Sequence, residues 1–334
     1  MDINNIVFKN IKYVNSDITT SRHIAFTVTV DYVKYAGVVL TSVLTNNVGN
    51  FTFHIFSNDF FDEDLKKFEL TSFKRQCNIF CHYVDENIFR VFNDPGEFSY
   101  ASYYRLFIPD YLSMYTDKFF YTDVDVCILN GIDSLFNINI NQYCAGVVEI
   151  QGISHRNEAN RVGVKRYFAS GGMLINSSMW VKNNIRMMAI EKLKSKEIFR
   201  YPDMDILNII LQDKVLFIDD KFQYQYSISN SIDTENKPCR LGVSSEVVII
   251  HYTGAIKPWH EIAKKFNISS PFLCAVNKSE WNDLELLKPK TYKDYHKAAR
   301  LAKKEGSIKE IVYCYYKYVV AKINYVLKKL GVFL

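Results

Sequence analysis

The chain has 334 residues, a formal net charge of +5, and 48% hydrophobic, 23% charged and 15% aromatic residues. That mix excludes a disordered, collagen-like or coiled-coil chain, and the length allows two conventional domains or one large α/β unit with an appendage. No uncharged apolar run is long enough to predict a transmembrane helix. The start, MDINNIVFKN, lacks the basic-then-apolar layout of an export signal. Seven cysteines without a Cys-x-x-Cys pair argue against a zinc ribbon or a disulfide framework and for a reducing cytoplasm.

HIAFTVTV at 23–30, rich in β-branched residues, predicts a buried strand, and residues 32–46 follow at near-helical period. FTFHIFS at 51–57 predicts a second strand, with Asp62 as N-cap of the helix after it, and CNIFCHYV at 77–84 a third. A helix around 100–112 leads to a fourth strand, KFFYTDVDV, at 118–126. CAGVVEI at 144–150 predicts another strand. YFASGGMLIN at 167–176 carries a glycine pair inside an apolar run, a sign of close backbone approach. A helix over 203–212 and strands near 215–218 and 246–252 complete a strand–helix alternation that predicts parallel strands in an α/β sandwich. The irregular stretch 265–290 reads as the weakest joint.

Asp123, Val124 and Asp125 form the sharpest chemical feature. They end an apolar strand, where open α/β sheets bind ligands, and strand alternation would turn both carboxylates to one face and one cation. Oxygen ligands of this kind suit Mg²⁺ or Mn²⁺ on a nucleotide diphosphate. An aspartyl nucleophile of the phosphatase type is disfavoured, because Cys127 stands where a Thr or Val is needed. His251 ends the strand VVIIHY and offers an imidazole to complete the metal shell. Gly254 lets a phosphate approach the backbone and Lys257 gives it a point charge; a satisfied strand-end histidine is the bland alternative. Arg105, on an apolar helix, needs a carboxylate or phosphate partner. Asp203 reads first as an N-cap, with Asp205 inside the helix N-terminus.

Charge is unevenly spread. Residues 288–334 hold 12 Lys/Arg against 3 Asp/Glu, a net of +9, and leave −4 on the rest. Such a tail is a solvated end, a nucleic-acid arm or an anionic-membrane anchor. Ile308, Ile311, Val312, Tyr315, Val319, Ile323, Val326, Leu327 and Leu330 form one apolar helical stripe, with lysines largely off it and tyrosines added. That favours a helix lying on a membrane surface over one docked on its own domain. The acidic body and the lack of any recognised module argue against nucleic acid.

Taken in order, HIAFTVTVDYVKYAGVVLTSVL, YYRLFIP, FFYTDVDV, YFASGGMLIN, YPDMDILN and HYTGAIKPW resemble glycosyltransferase family eight over about residues 23–262. SEWNDLELLKPKTYKDYHKAARLAKK and the basic aromatic tail are similar to the C-terminal extension of bacterial lipopolysaccharide outer-core α-glucosyl- and α-galactosyltransferases. The resemblance implies a GT-A type, Rossmann-like mixed α/β sheet flanked by helices. A catalytic domain would span 1–265, and a basic, membrane-associating helical extension 266–334. It implies a UDP-hexose donor, Mg²⁺ or Mn²⁺, retention of the α-configuration, and a lipid-anchored oligosaccharide acceptor at the inner face of the cytoplasmic membrane. Asp123, Asp125 and His251 match the family's metal ligands, and Gly254 and Lys257 its diphosphate contacts. Arg105 matches a donor-side arginine, Thr27, Thr29, Asp31 and Tyr32 fall at the uridine, and Asp203 and Asp205 match two carboxylates near the reacting sugar and acceptor.

The chain departs from the family pattern at four positions. Thr29 replaces a frequent Asp, Ala169 a frequent Asn, Met204 a Gln near the anomeric carbon, and Thr122 a Leu. The second and third leave a catalytically idle UDP-sugar binder as the alternative function.

Overall fold

The computed structural model describes residues 6–15, 22–96, 98–150, 152–195 and 197–329. Eleven strands occur among them: β1 (Val7–Tyr13), β2 (Arg22–Val28), β3 (Phe51–Ser57), β4 (Asn78–Val84), β5 (Lys118–Thr122), β6 (Val126–Ile128), β7 (Ala145–Glu149), β8 (Phe168–Asn176), β9 (Val215–Phe217), β10 (Tyr224–Tyr226) and β11 (Ile249–Tyr252). Eight make the main sheet in the order β1-β4-β3-β2-β5-β8-β7-β9, and β10-β11-β6 form a small second sheet. The run β4-β3-β2-β5 is parallel, as strand–helix alternation requires. Beyond it the all-parallel expectation fails. β8 runs antiparallel to both β5 and β7, and β1, which has no sequence expectation behind it, is antiparallel to β4. The mixed sheet matches the architecture implied by the family resemblance.

Both faces of the main sheet are buried, which explains why β2 and β3 read as continuous apolar runs rather than as alternations. One face packs on the helices Val33–Asn46 and Asp62–Arg75, the other on a second cluster built around Tyr103, Trp180, Ile206 and Leu207. The segment 265–290 is not a joint. Ser270–Lys278 is a helix, and Phe272, Ala275 and Val276 on it join Trp281 in the main core. A Cβ on Gly37 would lie 2.3 Å from the Trp281 ring, so only glycine lets the helix Val33–Asn46 approach this indole. Trp281 Nε1 donates to Asp64 Oδ1 at 2.6 Å, which satisfies the buried N–H.

Three histidines cross the sheet in a line. His23 Nδ1 lies 2.9 Å from His54 Nε2, His54 Nδ1 lies 2.9 Å from His82 Nε2, and His82 Nδ1 donates to Asn10 Oδ1. Because the amide oxygen only accepts, the tautomers run one way, each ring donating through Nδ1. Burial holds all three neutral, His23 down to about 4, His82 to about 3 and His54 well below its ordinary value. The unfolded chain takes up these protons near pH 6.5 and the native one does not. Stability should therefore be full above pH 6.5 and fall as the pH drops from there towards 4, by up to about 1.4 kcal/mol per pH unit for each histidine. Urea midpoints between pH 7.5 and 4.5 measure this, and a flat profile down to pH 5 would show that the ladder is not neutral.

The tail divides into two helices with different attachments. Tyr292–Glu305 opens on a capping box between Thr291 and Asp294 and is tied to the body by Lys297 and Arg300, which both pair with Asp233. Ile308–Lys329 folds back along it, with Tyr325 against Tyr292 and Tyr318 against His296. No residue of this second helix is buried, and Ile308, Val312, Val319 and Ile323 stand exposed. Ile311 and Leu327 of the stripe are half-buried and Glu310 pairs with Lys265, but most of the stripe faces outward; its last expected member, Leu330, lies outside the described residues. No helix among the described residues is long and apolar enough to cross a membrane.

Candidate active site

β5 and β6 belong to different sheets, and residues 123–125 are the link between them. Asp123 and Asp125 therefore do not alternate along one strand, as the sequence suggests. The link carries both carboxylates to one place, pinned by Asp123 N–H on the Gly171 carbonyl (2.9 Å) and by Tyr252 N–H on the Asp125 carbonyl (2.8 Å). His251 arrives on β11, opposite Val126 of β6. One ligand atom from each of Asp123, Asp125 and His251 lies within 4.8 Å of the others.

This group fits a hard divalent cation. Its donors are two carboxylate oxygens and an imidazole nitrogen. Asp125 Oδ1 is buried, receives no hydrogen bond, and stands 3.2 Å from His251 Nε2. A buried carboxylate oxygen without a hydrogen bond, beside an imidazole nitrogen, is a donor set that a divalent cation could occupy. Lys257 Nζ bonds the other oxygen, Asp125 Oδ2, and the Tyr252 carbonyl at 2.9 Å. Burial alone would raise the Asp125 carboxyl, but the facing His251 and Lys257 draw it well below the usual carboxylate range. The glycine pair accounts for the room: a Cβ at Gly171 would come within 2.6 Å of both Asp123 Oδ2 and the His251 ring.

Arg105 is buried at the centre of the cluster. It donates through Nη2 to Asp123 Oδ1 (2.8 Å) and through Nη1 to Ser170 Oγ (3.1 Å), and its Nε lies 3.2 Å from Asp203 Oδ2. Burial opposes the guanidinium charge, but Asp123 and Asp203 more than restore it. Ser170 Oγ donates to Asp203 Oδ2 at 3.2 Å, and burial pushes the Asp203 carboxyl up against the pull of Arg105. Tyr121 OH donates to Asp123 Oδ1 (2.8 Å), so the hydroxyl of Thr27, 3.0 Å away, donates to Tyr121. A continuous chain of bonds thus joins β2 to the metal-ligand group.

The helix Pro202–Leu211 begins with Tyr201, not Asp203, in the N-cap position. Proline at the first helical position presets the backbone and leaves Asp203 inside, pointing at Arg105. Asp205 is engaged elsewhere. Its oxygens take the Arg161 fork (2.7 and 2.9 Å), the Tyr167 hydroxyl and the Tyr201 N–H (3.1 Å), and it is fully buried. The expectation that Asp205 serves the helix N-terminus holds through that last bond.

At the other wall, Thr29 precedes a short turn, Val30–Tyr32, that leads into the helix Val33–Asn46, and Asp31 and Tyr32 are exposed. Tyr32 stands edge-on to Trp259, which stacks on Tyr35 at 4.0 Å. That stack fixes the 254–260 loop to the start of the helix. Gly254 sits at φ +80, where a Cβ would also lie 2.9 Å from Ser227 Oγ. Sequence reasoning missed Tyr121, Ser170, Gln223 and Trp259. Tyr121 lies two residues from Asp123, and only Ser170, beside the glycine pair, had a local signal of its own.

The pattern of glycosyl transferase family 8 matches residues 23–263, and that of the family 8 C-terminal region matches 267–322. The chain is 31% identical over 264 residues to the lipopolysaccharide glucosyltransferase WaaO of Escherichia coli K12, covering 76% of this chain and 77% of that one. It is 32% identical over 289 residues to a lipopolysaccharide 1,3-galactosyltransferase of Salmonella typhimurium, covering 83% and 84%. Among solved structures, the galactosyltransferase LgtC, crystallised with donor and acceptor sugar analogues, superposes with a TM-score of 0.65 at 21% identity, over 77% of this chain and 96% of that one. The fold is of the GT-A type.

Proposed function

The chain belongs to glycosyl transferase family 8, and we propose that it moves an α-hexose, glucose or galactose, from a UDP-sugar to a lipopolysaccharide core oligosaccharide with retention of configuration. The observation that carries this reading is the convergence of Asp123, Asp125 and His251 within 4.8 Å at the junction of the two sheets. These three residues would hold Mg²⁺ or Mn²⁺, which when bound supplies charge to the departing diphosphate. Lys257 adds an ammonium on the same side, and Gly254 opens the backbone of its loop to a phosphate. Thr27, Thr29, Asp31 and the exposed ring of Tyr32 form the uridine wall, and Val124 spaces the two aspartates.

Asp203 Oδ2 is already engaged by Arg105 and Ser170, and Met204 offers no nucleophilic oxygen. Both facts favour front-face attack over a covalent intermediate. The bond from the anomeric carbon to UDP breaks, and the acceptor oxygen bonds that carbon on the same face. The acceptor proton goes to the leaving phosphate oxygen. Arg105 and Asp203 orient the donor side, and Asp205 fixes the helix that presents Asp203. Met204 and Ala169 favour one rival, a UDP-sugar binder without turnover. Mn²⁺-dependent release of UDP from UDP-glucose or UDP-galactose supports the enzyme; tight donor binding with no release supports the rival.

The acceptor is lipid-anchored in this reading, and residues 266–334 bring residues 1–265 to the inner face of the cytoplasmic membrane. The exposed stripe Ile308, Val312, Val319 and Ile323, with Lys309, Lys317, Lys328 and Lys329 on the same helix, suits an anionic surface. Each lysine contributes about 1 kcal/mol there, so four act as a reversible anchor. Truncation after Glu305 should abolish co-sedimentation with anionic vesicles and leave transfer to a short soluble oligosaccharide largely intact. High salt should act like the truncation. Loss of activity on the soluble acceptor would instead make this helix part of the fold.

A further inference from the structure

Gln223 takes no part in the site as read from the sequence, yet it lies against the least exposed side of the metal-ligand group. It precedes β10, is buried, and its Nε2 lies 3.2 Å from His251 Nδ1. Its Oε1 is buried with no hydrogen-bond partner. The opposite ring nitrogen, Nε2, is the one that faces Asp125. The glycine pair of β8 divides its task accordingly. Gly171 clears space for Asp123 and His251, while a Cβ on Gly172 would come 3.1 Å from the Gln223 amide carbon.

We propose that Gln223 is the positioning residue of the metal site, fixing the ring plane and the tautomer of His251 so that Nε2 presents its lone pair to the cation. An imidazole that gives Nε2 to a metal carries its proton on Nδ1 and must donate it to an acceptor. The two ends of a carboxamide exchange places by a half-turn about the last side-chain bond, which brings the unpartnered Oε1 to Nδ1. The amide nitrogen then leaves the ring, and Oε1, which has no donor as it stands, accepts from Nδ1–H. Packing against Gly172 on one side and the pairing of Gln225 with His251 between β10 and β11 on the other keep the amide within reach of one nitrogen only. The inference rests on the metal-dependent reading above.

The test is Mn²⁺ binding in the presence of UDP, followed by electron paramagnetic resonance and by calorimetry, in the full chain and two variants. Gln223→Leu keeps the bulk and removes the acceptor, and should weaken Mn²⁺ about 10- to 100-fold, the usual loss for such an outer partner. Its thermal midpoint in EDTA should match that of the unaltered protein. Gln223→Glu supplies a stronger acceptor at the same length and should bind Mn²⁺ at least as tightly as the unaltered protein. Unchanged Mn²⁺ affinity in Gln223→Leu overturns the proposal while leaving the metal reading intact. If Gln223→Leu does not fold, Gln223→Glu decides: retained or tighter binding supports the role, and a loss overturns it. Failure of the unaltered protein to bind Mn²⁺ with UDP overturns the metal reading and this proposal together.

Discussion

Asp125→Asn is expected to lower hexose transfer about 10³-fold or more and to remove measurable Mn²⁺ binding. Asp125 is the hub of the group, facing His251 at 3.2 Å through Oδ1 and bonded to Lys257 through Oδ2. The substitution is isosteric, so the bond from the Tyr252 N–H to the backbone carbonyl of residue 125 survives and the fold with it. It removes the charge that pairs with the Lys257 ammonium and that a bound cation would need. Loss of one preorganised electrostatic element costs about 10²–10³ in turnover, and loss of the cation adds to it. Steady-state transfer kinetics beside a Mn²⁺ titration measure both. A variant within tenfold of the unaltered protein, still stimulated by Mn²⁺, would move the metal away from Asp125.

Arg105→Met should act on stability as strongly as on rate. The guanidinium is the only cation bonded to both Asp123 and Asp203 among the described residues, and it is buried together with Asp203, while Asp123 is half-buried. Methionine fills much of the volume but leaves two carboxylates facing each other across an apolar gap. Removing one partner of such a buried group costs about 3–5 kcal/mol. Burial already pushes the Asp203 carboxyl up, and without the opposing pull of Arg105 it should rise further. Urea unfolding in EDTA and in Mn²⁺ separates the effects. The variant should lose stability in both, and Mn²⁺ should recover part of the loss by placing positive charge beside Asp123. No loss in EDTA would show that the arginine is held by packing alone.

The sequence made the strands and the candidate metal-ligand residues legible for a physical reason. Apolar runs mark strands covered on both faces, and β2, β3, β4 and β8 are such strands. Asp123, Asp125 and His251 stand at the ends of apolar segments, where charge contrasts with its surroundings. The direction of β8 was not legible, because pairing is a property of partners rather than of local composition. The geometry of residues 123–125 was misread for a related reason: nothing local says that β5 and β6 belong to different sheets.

Polar residues whose meaning comes from a distant partner were the other blind spot. Gln223 meets His251 across 28 positions and Trp281 meets Asp64 across 217. His23, His54 and His82 form a ladder only once three strands are in register. Asp203 and Asp205 are two residues apart, and that half-turn of helix sends the first to Arg105 and the second to Arg161. The glycine pair carried a true signal of close approach, but what approached, the side chains of Asp123, His251 and Gln223, was visible only in three dimensions.

The most direct test of the account is transfer of labelled hexose from UDP-glucose and from UDP-galactose to core oligosaccharides lacking successive outer sugars, in Mn²⁺ and in excess EDTA, with the product anomer assigned by NMR. The account predicts transfer from one of the two donors to one truncated acceptor, an α-linkage in the product, loss of transfer in EDTA and its return with Mn²⁺. Undiminished transfer in EDTA, or a β-linked product, would contradict it.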